Sequence, residues 1–336
     1  MTDRAAASRQ FLQQAGWGDA ERRFLAGDAS DRSYDRLHRA GESAVLMDAP
    51  PGKGDDPKDF IAIGAHLNTL GLSAPRILAK DLAQGFLLIE DLGDGIFARL
   101  IAGDASQEAT LYAAATDVLL HIQSHPAPPA LPDLSARDWA QAAAFALDWY
   151  RFGITGARTE TDVFVDILNG LLRRHADGPR VLILRDYHAE NLLWLPGRAS
   201  LARVGLLDFQ LGQMGQPAYD LVSLLQDARR DVSPEVEAAM IQRFQAARPS
   251  PEFEASYAVI GAQRALRILG IFARLCMVAG KPQYLALVPR VWGQLQRNLA
   301  HPSLSPLAEY CAQTLPEPTP DALERIAAEC AKHRMP

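Results

Sequence analysis

Asp186, Asn191 and Asp208 are placed where two carboxylates and an amide could do chemistry together. Val181 to Leu184 is an apolar run that reads as a buried strand, and Arg185 to Asn191 is a tight polar loop. Leu192 to Leu195 makes a second strand, and Val204 to Leu207 a third that ends on Asp208. Each polar residue alone would pass for an ordinary turn former or strand cap. Taken together, an Asp, an Asn after four intervening residues, and a strand-borne Asp form the set that phosphoryl transfer requires. Asp186 would orient an attacking hydroxyl and take its proton. Asn191 and Asp208 would hold Mg2+ on the phosphates of ATP.

The elements that must position these groups begin with an opening helix over Arg4 to Ala15. Phe24 to Ala26 then leads into a polar loop, residues 27–34, and Tyr34 to His38 reads as the returning strand. Such a hairpin tip can bring backbone amides to phosphates, or it can be a plain surface turn. Ala44 to Met47 is a further strand, Asp48 to Pro57 a loop, and Lys58 to Leu70 a helix stopped by Gly71. Arg76 to Ala79 and Gly85 to Ile89 are two more strands, the second running into Glu90-Asp-Leu-Gly-Asp94. Helices follow over 107–124, 136–150, 161–175, 217–228, 253–277, 283–299 and 320–332. In the long apolar helix 253–277, Arg264, Arg267 and Arg274 fall near one face. They could reach an anionic group of a ligand, or pair with carboxylates of the protein itself.

With 336 residues, 48% of them hydrophobic, the chain has material for about two domains with real cores. A net charge of −6 without any basic run argues against a nucleic-acid partner. No apolar stretch approaches the roughly 18 residues of a membrane span. Met1-Thr-Asp-Arg-Ala has no apolar signal core, so the expected location is the cytoplasm. Cys276, Cys311 and Cys330 form no Cys-x-x-Cys pair, which points to inert thiols rather than zinc or disulfides. Nothing implies an obligate protein partner.

Arg-Asp-Tyr-His-Ala-Glu-Asn (185–191), the run 215–231, Gly-Asp-Ala-Ser (27–30) and Met-Asp-Ala-Pro-Pro (47–51) carry a resemblance over nearly the whole chain. The sequence resembles the aminoglycoside-phosphotransferase family of small-molecule kinases. Within it, the chain is most similar to the anomeric N-acetylmuramate/N-acetylglucosamine kinases of cell-wall recycling. That resemblance implies an α+β, two-lobed, protein-kinase-like fold, with an antiparallel-sheet lobe over 1–92 and a mainly helical lobe over 93–336. It implies ATP and Mg2+ as cofactors and a small amino-sugar acceptor, phosphorylated on its C1 hydroxyl. Ala29, Ser30, Asp31 and Arg32 would cover the nucleotide, and Glu90, Asp91 and Leu92 would form the adenine hinge. His188 and Glu190 would face the acceptor, Arg264 and Arg267 would suit a lactyl carboxylate, and Asp220 would brace the catalytic loop. Tyr187, Trp149 or Trp194 would offer the sugar an aromatic platform or pack in the core.

Three positions depart from the family pattern. Met47 falls where a lysine is expected, and the following helix has no Glu after Asp59 to pair with one. A neighbouring cation (Arg32, Lys53 or Lys58) or backbone amides would replace it. Leu184 stands where the family has a loop-bracing His. Two other readings therefore stand beside the sugar kinase. One is a kinase of the same fold acting on an aminoglycoside or amino alcohol, and the other is a nucleotide-binding pseudokinase.

Overall fold

The computed structural model describes residues 4–27, 32–52 and 56–334. Helix α1 (Arg4–Gln14) precedes five strands: β1 (Glu21–Gly27), β2 (Ser33–Arg39), β3 (Glu42–Asp48), β4 (Ile77–Asp81) and β5 (Phe86–Glu90). They form one antiparallel sheet in the order β1-β2-β3-β5-β4. Alternation gives the sheet two faces of different character. On one, Leu37, Ala44, Leu46, Phe86 and Leu88 meet Phe11, Leu12 and Trp17 to make a closed core. On the other, the register aligns Arg36 with Val45 and Val45 with Ile89. Helix α2 (Pro57–Thr69) joins β3 to β4. It starts on Asp56, whose side chain accepts from the Lys58 amide, and has proline in its first turn. Gly71, at φ +74°, supplies the left-handed residue that ends the turn after it.

Next come α3 (Phe97–Gly103) and α4 (Glu108–Gln123), then α5 (Ala136–Ala143), which opens on a capping box between Ser135 and Asp138. The single helix expected over 136–150 is interrupted. A six-residue π-helical stretch, Ala146–Arg151, follows α5 and passes into α6 (Phe152–Thr155). After α7 (Asp162–His175) come β6 (Val181–Ile183), β7 (Leu192–Trp194), β8 (Val204–Leu206) and β9 (Gln213–Gly215). β7 pairs with β8, and β6 pairs with β9, a strand the sequence reading did not include. The remainder is helical: α8 (Tyr219–Leu225), α9 (Pro234–Ala247), α10 (Phe253–Met277), α11 (Val288–Leu299), α12 (Ser305–Thr314) and α13 (Pro320–Ala328). This is the expected α+β class, an antiparallel sheet followed by a mainly helical part. Among the described residues, no helix is long and apolar enough to cross a membrane.

Contacts divide the chain into two compact units, residues 1–129 with 184–212 and residues 130–183 with 213–336. The lobes were expected at 1–92 and 93–336, on a hinge, whereas these units follow packing and have other limits. The reason lies in β7 and β8. The Leu206 amide donates to the Ser73 carbonyl at 2.9 Å, and the Trp194 amide to the Gly95 carbonyl at 2.7 Å. These bonds anchor 184–212 to the first unit. Gly95 allows that approach, since a Cβ there would lie 2.5 Å from the Trp194 carbonyl oxygen. In the second unit, α10 packs against α5, α7, α8 and α11.

Candidate active site

Asp186, Asn191 and Asp208 all lie in the first unit. Leu184 is buried, and its carbonyl accepts the Asp186 amide at 2.9 Å across Arg185, which sits at φ +71°. The turn therefore reverses at once, with Arg185 at its apex and Asp186 closing it. The Asn191 amide donates to the His188 carbonyl at 2.9 Å, and the Ala98 amide to the Ala189 carbonyl at 3.1 Å, pinning the loop to α3. Tyr187 is buried and donates its hydroxyl to the Ala115 carbonyl at 2.9 Å. That makes Tyr187 a pillar of the loop rather than a platform for a sugar. Leucine at 184 is thus matched by a loop held through its backbone and one phenol.

The Asn191 side chain joins the three residues. Its Nδ2 donates to the Asp186 carbonyl at 2.9 Å and stands 3.4 Å from the Asp208 carboxylate and 3.4 Å from His188 Nε2. The same residue is fixed from β8, because its carbonyl accepts the Leu207 amide at 3.0 Å. Asp208 follows at φ +55°, a left-handed backbone that non-glycine residues hold only when neighbours impose it. The next residue, Phe209, is firmly anchored. Its ring is fully buried and stacks on Phe60 of α2, centroids 4.8 Å apart. Gln210 Nε2 donates to Asp208 Oδ1 at 2.8 Å.

The donor set fits a hard divalent cation. Magnesium takes oxygen ligands in small number from the protein and completes its shell with water and phosphate. Asp208 offers a carboxylate, its side chain still 36% exposed. Asn191, with Nδ2 committed to Asp186, leaves Oδ1 as the donor atom that can turn to a metal.

A cleft of about 350 Å3 adjoins these residues, and the first unit alone lines it. Val45, Ile89, Phe60, Leu92, Leu193 and Leu207 give it apolar walls, while Glu90, Asp91, Glu190, Asn191 and Asp208 supply the polar groups. An apolar slot with a few convergent polar groups is the usual form of a small-molecule site. Glu90 does not offer its carboxylate to the cleft freely, because Arg76 at 3.1 Å and Arg198 at 2.7 Å both hold it. The strand ladder ends at Glu90, opposite Ala44, so the backbone of Asp91 and Leu92 lies beyond the sheet's own pairing.

Met47 is fully buried, in register between Tyr34 and Leu87, and contributes only apolar volume. Two of the three cations considered in its place, Arg32 and Lys58, are among the described residues. Lys53 lies outside the described residues, as do Ala29, Ser30 and Asp31. The Lys58 side chain is 71% exposed and lies 3.6 Å from Asp56. Arg32 is buried, with its Nη2 4.0 Å from Asp208 Oδ1. Of the two that are described, the fold brings Arg32 to the site.

The remaining expected residues distribute themselves plainly. Glu190 is exposed on the cleft wall, and His188 is buried against Asn191. Arg264 and Arg267 belong to the second unit. There Arg264 is buried, donates to the Ser223 hydroxyl at 2.7 Å and lies 4.7 Å over the Tyr219 ring. Arg267 is half-buried, and Asp220 is buried in the first turn of α8. The sequence reading passed over Arg36, Asp94 and Phe60, all of which line the cleft. One signal was available for Arg36. It alternates with Asp35 and Leu37, so it had to face away from the α1 core.

The model of the phosphotransferase enzyme family matches residues 21–254, which include every residue of the cleft and loop. The chain belongs to the phosphotransferase enzyme family. A family relative, the N-acetylmuramate/N-acetylglucosamine kinase of Caulobacter vibrioides, is 39% identical over 95% of this chain and 98% of its own length. Among solved structures, a choline/ethanolamine kinase family protein from Mesorhizobium loti superposes with a TM-score of 0.61 at 16% identity, covering 97% of this chain and 99% of that one. The ADP-bound aminoglycoside phosphotransferase APH(2'')-Ib gives 0.59 at 13% identity, covering 87% and 97%. At those identities the two structures establish the fold, and it is kinase-like.

Proposed function

We propose that this phosphotransferase moves the γ-phosphoryl group of ATP to the anomeric C1 hydroxyl of N-acetylmuramate and N-acetylglucosamine, giving the sugar 1-phosphate in cell-wall recycling. The observation that carries the reading is the 39% identity, over 95% of the chain, to a relative named for those two sugars. The loop and cleft supply chemistry consistent with it.

Asp186 is assigned to the acceptor hydroxyl. Its carboxylate accepts the hydroxyl proton as the sugar oxygen forms its bond to the γ-phosphorus, and the bond to the ADP oxygen breaks. Positioning dominates such a step, and the bonded loop around Asp186 provides it. Asn191 and Asp208 are assigned to Mg2+, which when bound neutralises charge on the phosphates. Arg32 takes the phosphate-neutralising place that lysine has elsewhere in the family, and the backbone amides of Ala29, Ser30 and Asp31 are assigned to cover the phosphates. The backbone of Glu90, Asp91 and Leu92 is assigned to the adenine edge, so residue 92 is the functional end of the nucleotide half. His188 and Glu190 are assigned to the sugar hydroxyls. An ATP-dependent reaction is consistent with the cytoplasm, the location expected from the sequence.

The test is a panel of N-acetylmuramate, N-acetylglucosamine, kanamycin, choline and homoserine with Mg-ATP, followed by ADP release. Turnover is expected on the two N-acetyl sugars. Phosphorylation at C1 removes the reducing end, whereas phosphorylation at C6 keeps it, so a reducing-sugar assay reads the position. Turnover on kanamycin or choline, or a product that still reduces, defeats the assignment. ATP binding with no turnover on any acceptor turns it to a nucleotide-binding module.

A further inference from the structure

Arg36 is the residue of the cleft whose bonding its chemistry does not call for. It lies on β2, in register with Val45 and through it with Ile89, the apolar wall of the slot. From there its guanidinium reaches the turn after β5. Nε lies 2.9 Å from the Asp91 carboxylate, Nη1 2.8 Å from Asp94, and Nη2 donates to the Gly93 carbonyl at 3.2 Å. The Arg36 side chain is 16% exposed and Asp91 6%, while Asp94 reaches solvent. Burial works against the charge of Arg36, and its bonds and attraction to Asp94 and Asp91 outweigh that, holding the guanidinium above its ordinary range.

A fork of this kind is rigid. Guanidinium is planar, permanently charged and matched to carboxylate geometry, so it fixes both the distance and the angle between the parts it joins. Here it joins the second strand of the sheet to the turn carrying the backbone groups of Asp91 and Leu92. Without it, that turn would hang from β5 by one covalent end and from Gly95 onward by the other.

We propose that Arg36 is a positioning residue for the nucleotide, clasping the 91–94 turn to β2 so that the base slot is held open at one width before the base arrives. The proposal rests on reading the cleft as the nucleotide site. Arg36 acts through the turn and does not touch the reacting atoms. Its effect therefore belongs to nucleotide binding and not to the chemical step, since preorganisation lowers the ordering cost of association.

The experiment compares wild type with Arg36→Met, which keeps length without charge, and Arg36→Lys, which keeps charge without the fork. ADP affinity is measured by calorimetry, and KM for ATP, KM for the sugar and kcat by steady-state assay. Arg36→Met should raise Kd for ADP and KM for ATP about 10- to 100-fold, leaving kcat at saturating ATP within about two-fold and the sugar KM unchanged. Arg36→Lys should fall between the two. An unchanged ADP affinity in Arg36→Met, or a fall in kcat with KM for ATP intact, overturns the clasp. Val45→Phe, which fills the slot from the same sheet face, separates this from a failure of the underlying reading. If Val45→Phe leaves ADP affinity intact, the cleft is not the nucleotide site and both ideas fall. If it abolishes ADP affinity while Arg36→Met does not, only the clasp falls.

Discussion

Phe209 stacks on Phe60 with ring centroids 4.8 Å apart and planes 15° from parallel. The pair ties the residue after Asp208 to the first turn of α2, and Gly64, one turn on, leaves the space the Phe209 ring occupies, 3.2 Å from where its Cβ would be. An Asp held at φ +55° needs such an anchor, because the backbone alone would relax.

Replacing Phe209 with Ala should therefore do two things. Truncating a fully buried phenylalanine costs about 3–5 kcal/mol of stability, read by urea denaturation. Mg-ATP affinity should fall as well, although Phe209 carries no polar group. Stability lost with Mg-ATP affinity intact would show that Asp208 keeps its place unaided.

Asp186→Asn preserves size and removes the proton acceptor. Turnover should fall about 10²- to 10⁴-fold, with ADP affinity within about two-fold of wild type. Rapid-quench single turnovers check this. A variant that turns over near the wild-type rate would free Asp186 of the assigned role.

Asp208→Ala should act on binding instead. Calorimetric titration with ATP in the presence and absence of Mg2+ should show wild type gaining affinity from the metal and the variant gaining little. Equal metal dependence in both proteins would move the metal site elsewhere.

The cysteines give a prediction with a pH attached. Burial pushes the Cys311 thiol up to about 12. Cys276 is raised first by burial and then by its neighbour Cys330. A thiol at about 12 is only about 10⁻⁴ thiolate at pH 8, and the thiolate is the nucleophile. Iodoacetamide at pH 8 should thus add one group, on the half-buried Cys330, to the native protein and three after denaturation. Intact mass spectrometry counts the adducts, and two fast additions to the native protein would contradict the burial of Cys276 and Cys311.

Sequence alone made some of this legible. Helix α10 was expected over 253–277 and runs Phe253–Met277, since a long apolar face punctuated by spaced arginines suits one secondary structure. Asp186, Asn191 and Asp208 were legible because each lies in a polar stretch bordering a short apolar strand, and the fold gathers them around one amide. The π-helical stretch Ala146–Arg151 was not, because its composition reads as ordinary helix. What accompanies it is a close approach in three dimensions, where a Cβ on Gly270 would lie 2.2 Å from the Phe145 main chain. β9 has three residues and one apolar side chain, too little pattern to announce a strand. Helix α9 is a different kind of omission, for Ser233-Pro-Glu at its start is a legible signal. Arg36 meets Asp94 across 58 positions of chain, a distance over which no local pattern speaks.

Met47 has a consequence for detection. Reagents that acylate an amine lying against the phosphates of ATP identify many kinases by tagging the lysine on their sheet. This sheet presents a thioether locked in its core at that position, and the cation brought to Asp208 is a guanidinium, which stays charged and does not acylate. Tagging of that kind finds no amine to acylate at position 47 or on Arg32.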